Sequence, residues 1–106
     1  QSYDVADAAD LADTIINGKA TLVDVRNQTE WDEGHIPQAK HIMLGYLTDR
    51  VDEVPVDNGY PVVVQCRTGG RSAIAASILQ ANGIDNVINM MGGITKWTVA
   101  KLPTTK

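Results

Sequence analysis

The chain of 106 residues has a single cysteine, Cys66. One cysteine excludes an internal disulfide, and no Cys-x-x-Cys pair or Cys/His cluster suggests a zinc site. A free thiol suits a reducing compartment, so a cytoplasmic location is the expectation. Excess positive charge is also missing. The formal net charge is −4, which gives a nucleic-acid partner no electrostatic support. No apolar run approaches membrane-spanning length, and no signal-peptide pattern is visible. The expectation is therefore no metal, no cofactor, and neither nucleic acid nor membrane as partner. Repeats, low-complexity tracts and linkers are lacking too. The length fits one compact domain over residues 1–106. The chain begins with Gln1 and not Met, which suggests a processed protein or a domain of a larger fusion.

Hydrophobic residues make up 43% and charged residues 21%, near the globular average. Short β-branched runs alternate with helical segments, the pattern of an α/β fold with a mostly parallel sheet. A first strand is expected near Tyr3 to Val5. Asp7 then caps a helix with Ala8, Leu11, Ala12 and Ile15 on one face, and Gly18 stops it. Leu22 to Val25 reads as a buried strand. Asn27 and Glu30 resemble a helix cap, with the helix ending at Gly34. His41 to Leu44 is a third short strand, and Tyr46 to Val54 a short helix closed by Pro55. Pro61 opens the strand Val62 to Gln65, a position where its missing N–H is tolerated. A helix runs from Ser72 to about Asn82, with Ile74 and Ile78 on one stripe and Ala75 and Leu79 on the next. Val87 to Asn89 is the last strand. Gly92-Gly93 turns into a final helix holding Trp97.

The chemistry-bearing segment is Cys66-Arg67-Thr68-Gly69-Gly70-Arg71-Ser72. It places a cysteine at the end of a buried strand, then a glycine-rich loop, then a helix. Backbone N–H groups of such a loop point at one centre. The helix adds its own free N–H groups and positive dipole end. Both favour thiolate over thiol. Gly69 and Gly70 permit the dihedrals the ring needs. Arg67 and Arg71 add fixed positive charge beside the nucleophile. Arg67 is expected to point outward and to matter less for donor capture than Arg71, which is expected to pair with a donor anion or brace the loop. A plain buried core thiol is the bland alternative, but such a cysteine needs neither two arginines nor two glycines beside it.

These residues match a known family. The loop from Cys66 to Ser72 closely resembles the active-site loop of rhodanese domains. Leu22-Val23-Asp24-Val25-Arg26, Glu30-Trp31 and Gly34-His35-Ile36-Pro37 resemble its amino-terminal signature. Gly92-Gly93-Ile94-Thr95-Lys96-Trp97 resembles its carboxy-terminal one. Gln38 and His41 depart from the family pattern, both on the scaffold side. The resemblance implies a three-layer α/β/α domain with a five-stranded, mostly parallel sheet. It implies that Cys66 accepts a sulfane sulfur from an anionic donor, thiosulfate or glutathione persulfide. Arg67, Thr68, Gly69, Gly70, Arg71 and Ser72 would bind the substrate. The persulfide would then pass sulfur to cyanide or to a thiol, small or on a protein.

Other polar residues have plainer readings. Asp24, Arg26 and Glu30 read as an ion-pair group tying a strand to the next turn, since buried charges survive by pairing. His35 reads as a turn histidine bonded to backbone rather than a base for Cys66. Trp31, Trp97, Met90 and Met91 read as packing residues. Asp49, Asp52, Glu53 and Asp57 read as a solvated acidic face.

Two rival functions remain at this level. One is a cysteine-based phosphatase or arsenate reductase of the same fold. Phosphatase loops place five residues between cysteine and arginine, whereas Arg67, Thr68, Gly69 and Gly70 are four. The other is a non-catalytic rhodanese-like binding module, since fold alone never proves function. Such a module would be expected to lack the cysteine.

Overall fold

The computed structural model describes residues 3–56 and 59–106. It contains five strands, β1 (Asp4–Asp7), β2 (Thr21–Asp24), β3 (Ala39–His41), β4 (Val62–Gln65) and β5 (Val87–Met91). The helices are α1 (Ala8–Ile16), α2 (Gln28–Glu33), α3 (Gly70–Ala81) and α4 (Gly93–Val99). The sheet runs β1-β5-β4-β2-β3 with every neighbouring pair parallel.

β2 and β4 are buried along their whole length. That explains their continuous apolar runs, because a parallel sheet is covered on both faces. Val23 and Val64 pack beneath Ala75, Ala76 and Leu79 of α3. Leu22 and Val63 pack on the opposite face, against Leu11 and Ile15 of α1 and Trp97 of α4. The result is the expected α/β/α sandwich. Trp97 is fully buried, and its indole N–H donates to the Pro103 carbonyl at 2.8 Å.

Several sequence expectations need correction. Asp7 occupies the N-cap position of α1, but its side chain makes no capping bond. It also closes β1 opposite Met91 and is exposed. The third strand is Ala39–His41 and not His41–Leu44. β2 ends at Asp24, and only the Ile42 and Leu44 N–H groups carry its bonding further, to Asp24 and Val25. Residues 46–54 form no α-helix. Two 3-10 segments, Leu44–Tyr46 and Thr48–Glu53, take their place, the second kinked at Arg50 (φ −117°, ψ 16°), and both are anchored by buried Leu47 and Val54. β5 runs two residues longer than expected, to Met91.

α3 starts at Gly70, two residues before Ser72, so Arg71 lies in its first turn. Its buried stripe is Ser72, Ala75, Ala76 and Leu79. Ile74 faces solvent, and Ile78 is only partly covered. Small alanines face the sheet because the helix lies close upon it. Met90 is buried but Met91 is half exposed. Of the acidic stretch, Asp49 and Asp52 are exposed, and Glu53 pairs with Arg50 and Lys40. Asp57 lies outside the described residues. The loops after β2, β4 and β5 meet at the carboxyl end of the sheet, where open α/β sheets place their sites.

Candidate active site

Cys66 directly follows β4 and is buried. The chain then wraps around its sulfur. Gly69 sits at φ 126°, a backbone shape open to glycine, and its N–H donates to Cys66 Sγ at 3.0 Å. Gly70 has no such need and simply opens α3. The Ser72 hydroxyl lies 3.5 Å from the sulfur. Burial by itself pushes the Cys66 thiol up. The Ser72 hydroxyl and the backbone N–H groups of Ser72, Gly69 and Thr68 outweigh it, so the net direction is down. Hydrogen bonds that favour the charged form lower a pKa in this way.

Arg71 braces the loop. Its two terminal nitrogens donate to the two oxygens of Glu30 at 2.7 and 2.9 Å. This fork ties the start of α3 to α2. Glu30 therefore leaves the group expected for it: Asp24 and Arg26 pair with each other, and Glu30 pairs across the site. The partner stands 41 residues away in sequence, so local spacing could not reveal it. The Arg26 guanidinium grips Asp24 at 2.7 and 3.0 Å and donates to the Gly34 carbonyl at 2.9 Å. That pair does tie the end of β2 to the next turn.

The fork with Arg71 holds the Glu30 carboxyl down at about 2. A carboxylate lowered on folding adds stability that is full above its unfolded pKa and fades as pH falls toward the folded one. The melting temperature is expected to drop between about pH 4.5 and pH 2. Glu30→Gln should flatten that part of the profile, as thermal melts across the range would show. An unchanged slope in Glu30→Gln would mean that other carboxylates dominate acid unfolding.

Arg67 is different. Its side chain is exposed, and among the described residues no carboxylate pairs with it. It lines a cavity of about 360 Å³, with Arg26, Glu30, Glu33, Ile94 and Thr98 among the other walls. The outward direction expected for Arg67 is what the structure shows.

His35 is not aimed at the sulfur. Its Nδ1 donates to the Trp31 carbonyl at 2.9 Å, and its backbone forms a bridge with Thr105. Its ring stacks on Trp31, centroids 3.5 Å apart, and His41 stacks on Trp31 at 4.7 Å. Trp31 is thus a half-buried ring packed against two imidazoles. His41 Nε2 donates to the Arg26 carbonyl at 2.8 Å.

Three contributors escaped the sequence reading. The first is Gly93. A Cβ there would lie 2.2 Å from the Cys66 carbonyl oxygen and 2.8 Å from that of Arg67. The first turn of α4 also donates Ile94 N–H to Cys66 and Thr95 N–H to Arg67. Gln65, fully buried, donates its amide to the Cys66 carbonyl at 2.9 Å. Asn89, buried in β5, bonds Ser72 from behind the loop. A polar residue inside an apolar strand was the signal available for both amides.

The rhodanese-like domain family model matches residues 7–100. The chain belongs to the rhodanese-like domain family. Among relatives of this rhodanese-like chain is the uncharacterized protein YqhL of Bacillus subtilis, 40% identical over 79 residues. That match covers 74% of this chain and 61% of YqhL. A sulfurtransferase of Allochromatium vinosum is 38% identical over 82 residues, covering 77% of this chain and 75% of that protein. Of solved structures, a rhodanese-related protein from Thermoplasma volcanium superposes with a TM-score of 0.86 at 30% identity. The match covers 97% of this chain and 98% of that one. Sulfur transfer is the class of chemistry these relationships support.

Proposed function

We propose that this rhodanese-like domain spans residues 1–106 as one unit and is an enzyme that moves a sulfane sulfur through a persulfide on Cys66. The observation that carries this reading is the thiol enclosed by a four-residue loop whose N–H groups point at it. The Cys66 thiolate attacks the outer sulfur of thiosulfate. The new S–S bond forms as the old one breaks, and sulfite leaves with the electron pair. The loop amides and the Ser72 hydroxyl then face a terminal sulfur anion, for which Arg67, Thr68, Gly69, Gly70, Arg71 and Ser72 form the cradle. Cyanide or a thiolate attacks that sulfur in turn, taking it as thiocyanate or a new persulfide and returning Cys66 as thiolate. No outside oxidant or reductant is needed. Glutathione persulfide fits the same scheme, with glutathione as the leaving group. The free thiol also favours a reducing, cytoplasmic setting.

The free charge at Arg67 and the cavity beside it support donor capture there. Arg71 is already committed to Glu30. Arg67→Ala is expected to lower kcat/KM for thiosulfate by about ten- to hundredfold, because a hydrogen bond to a charged group contributes about 1.5–3 kcal/mol. Steady-state rates for both proteins check this, and equal values would leave the backbone amides as the anion site. The phosphatase reading predicts hydrolysis of a chromogenic phosphate ester. The short loop is cramped for a phosphoryl group, so thiocyanate formation without ester hydrolysis is the expected result.

A further inference from the structure

The Ser72 hydroxyl has one proton and three acceptors within reach. Its Oγ donates to Asn89 Oδ1 at 2.5 Å and to the Gly69 carbonyl at 3.1 Å, and Cys66 Sγ lies at 3.5 Å. Asn89 takes the shortest of these bonds. In this arrangement the thiol S–H donates to Ser72, and Ser72 donates onward to Asn89. A thiolate gains the Ser72 hydroxyl as a donor only when that proton turns from Asn89 to the sulfur. An amide is nearly symmetrical in shape, so a half-turn of the Asn89 side chain places Nδ2 where Oδ1 stood. Nδ2 then donates to Ser72 Oγ, and the hydroxyl proton is free to turn to sulfur. The turn brings Oδ1 toward the Gly69 carbonyl oxygen, acceptor against acceptor, a cost offset by the new Nδ2–H bond to Ser72 and the hydroxyl bond to a thiolate. The present bond from Asn89 Nδ2 to the Gly69 carbonyl is long, 3.4 Å, and that carbonyl keeps the Ala73 N–H at 3.1 Å.

We propose that Asn89 is a positioning residue for the sulfur centre: its amide turns between accepting from Ser72 and donating to it, and so steers the Ser72 hydroxyl away from or toward Cys66. The placement in the fold supports this. Asn89 shares a face of β5 with Val87, which packs in the cluster beneath α3. It is 4% exposed and Ser72 is fully buried, so bulk water cannot do the same work. In a buried site an unsatisfied polar group is costly, which ties the two side chains together. The inference rests on Cys66 being the reactive sulfur, as proposed above.

The test is the pH midpoint of Cys66 alkylation by iodoacetamide, read in a double-mutant cycle of Asn89 and Ser72. Asn89→Asp fixes an acceptor behind Ser72 that has no N–H to offer. It is expected to raise the midpoint by about one pH unit or more. In a Ser72→Ala background the same change should move the midpoint by less than half as much. Asn89→Leu removes the amide without adding charge. It should shift the midpoint in wild type and leave it unmoved in Ser72→Ala, and it serves if the buried aspartate prevents folding. Both substitutions leave the surrounding charges of Arg67, Arg71, Glu30, Asp24, Arg26 and Lys96 in place. Equal shifts in both backgrounds would overturn the proposal, since plain charge or packing would then suffice. So would the absence of any shift in wild type. The readout needs no sulfur donor. Coupled alkylation without sulfur uptake would sink the transfer reading and spare this one.

Discussion

Cys66→Ser is expected to abolish sulfur uptake and to lower thiocyanate formation from thiosulfate and cyanide by at least about a thousandfold. The size of the effect follows from chemistry and not from packing. Serine is nearly isosteric, and the loop bonds at the site come mostly from backbone N–H groups, so the fold should survive. A hydroxyl, however, keeps its proton at neutral pH even in this cradle, whereas the Cys66 thiol is drawn down by the Ser72, Gly69 and Thr68 donors. An oxygen at this position also cannot carry a persulfide. Circular dichroism should show an unchanged fold beside the lost activity. Residual turnover near wild type would move the sulfur-carrying step away from Cys66.

Gly93→Ala is expected to be the most damaging change outside the loop itself. Gly93 sits at φ 51°, where any side chain costs about 1–2 kcal/mol. The added methyl would also meet the Cys66 carbonyl oxygen at 2.2 Å and the Arg67 carbonyl carbon at 2.8 Å. These are backbone atoms, so no flexible side chain can yield. Overpacking of this kind costs about 1–3 kcal/mol more. The sum, about 2–5 kcal/mol, corresponds to a fall in melting temperature of order 10–25 °C for a domain of this size. Activity should fall further than stability, because relief of the clash pushes the loop off α4 and breaks the Ile94 and Thr95 bonds to Cys66 and Arg67. Gly18→Ala is the control. Its φ is 73° but nothing lies within 4 Å of a Cβ there. It should cost only the backbone term and leave kcat/KM intact. Equal losses of activity in the two variants would refute the role given to Gly93.

The two glycines differ in a contact made across the fold, which no local pattern carries. The Gly92-Gly93 pair was legible as a turn, but its contact with Cys66 joins segments far apart in the chain. The same holds for Arg71 and Glu30. Arg71 was marked for the loop and Glu30 as structural support beside Asp24 and Arg26, yet their pairing depends on how α2 and α3 meet. The cysteine loop and the two central strands were legible because their cause is local: buried parallel strands read as apolar runs, and a nucleophile loop needs glycine beside cysteine. Elements set by tertiary contact were misjudged. β3 starts two residues earlier than expected because its register belongs to β2, and residues 46–54 form 3-10 turns instead of one continuous helix because Leu47 and Val54 anchor the chain to the core. Of the two stripes marked on α3, close packing on the sheet buries the one with Ala75 and Leu79 and leaves Ile74 in solvent. Asn89 and Gln65 carried a readable signal, polar side chains within buried strands, and their partners became visible only around the sulfur.

Cys66 itself is expected to carry the sulfur. Intact-mass spectrometry after brief incubation with thiosulfate, and separately with glutathione persulfide, tests it most directly. The expected result is a gain of one sulfur, about 32 mass units, lost again when cyanide or a thiol is added and absent in Cys66→Ser. Turnover of the donor with no added mass on the wild-type protein, or the same gain on Cys66→Ser, would contradict it.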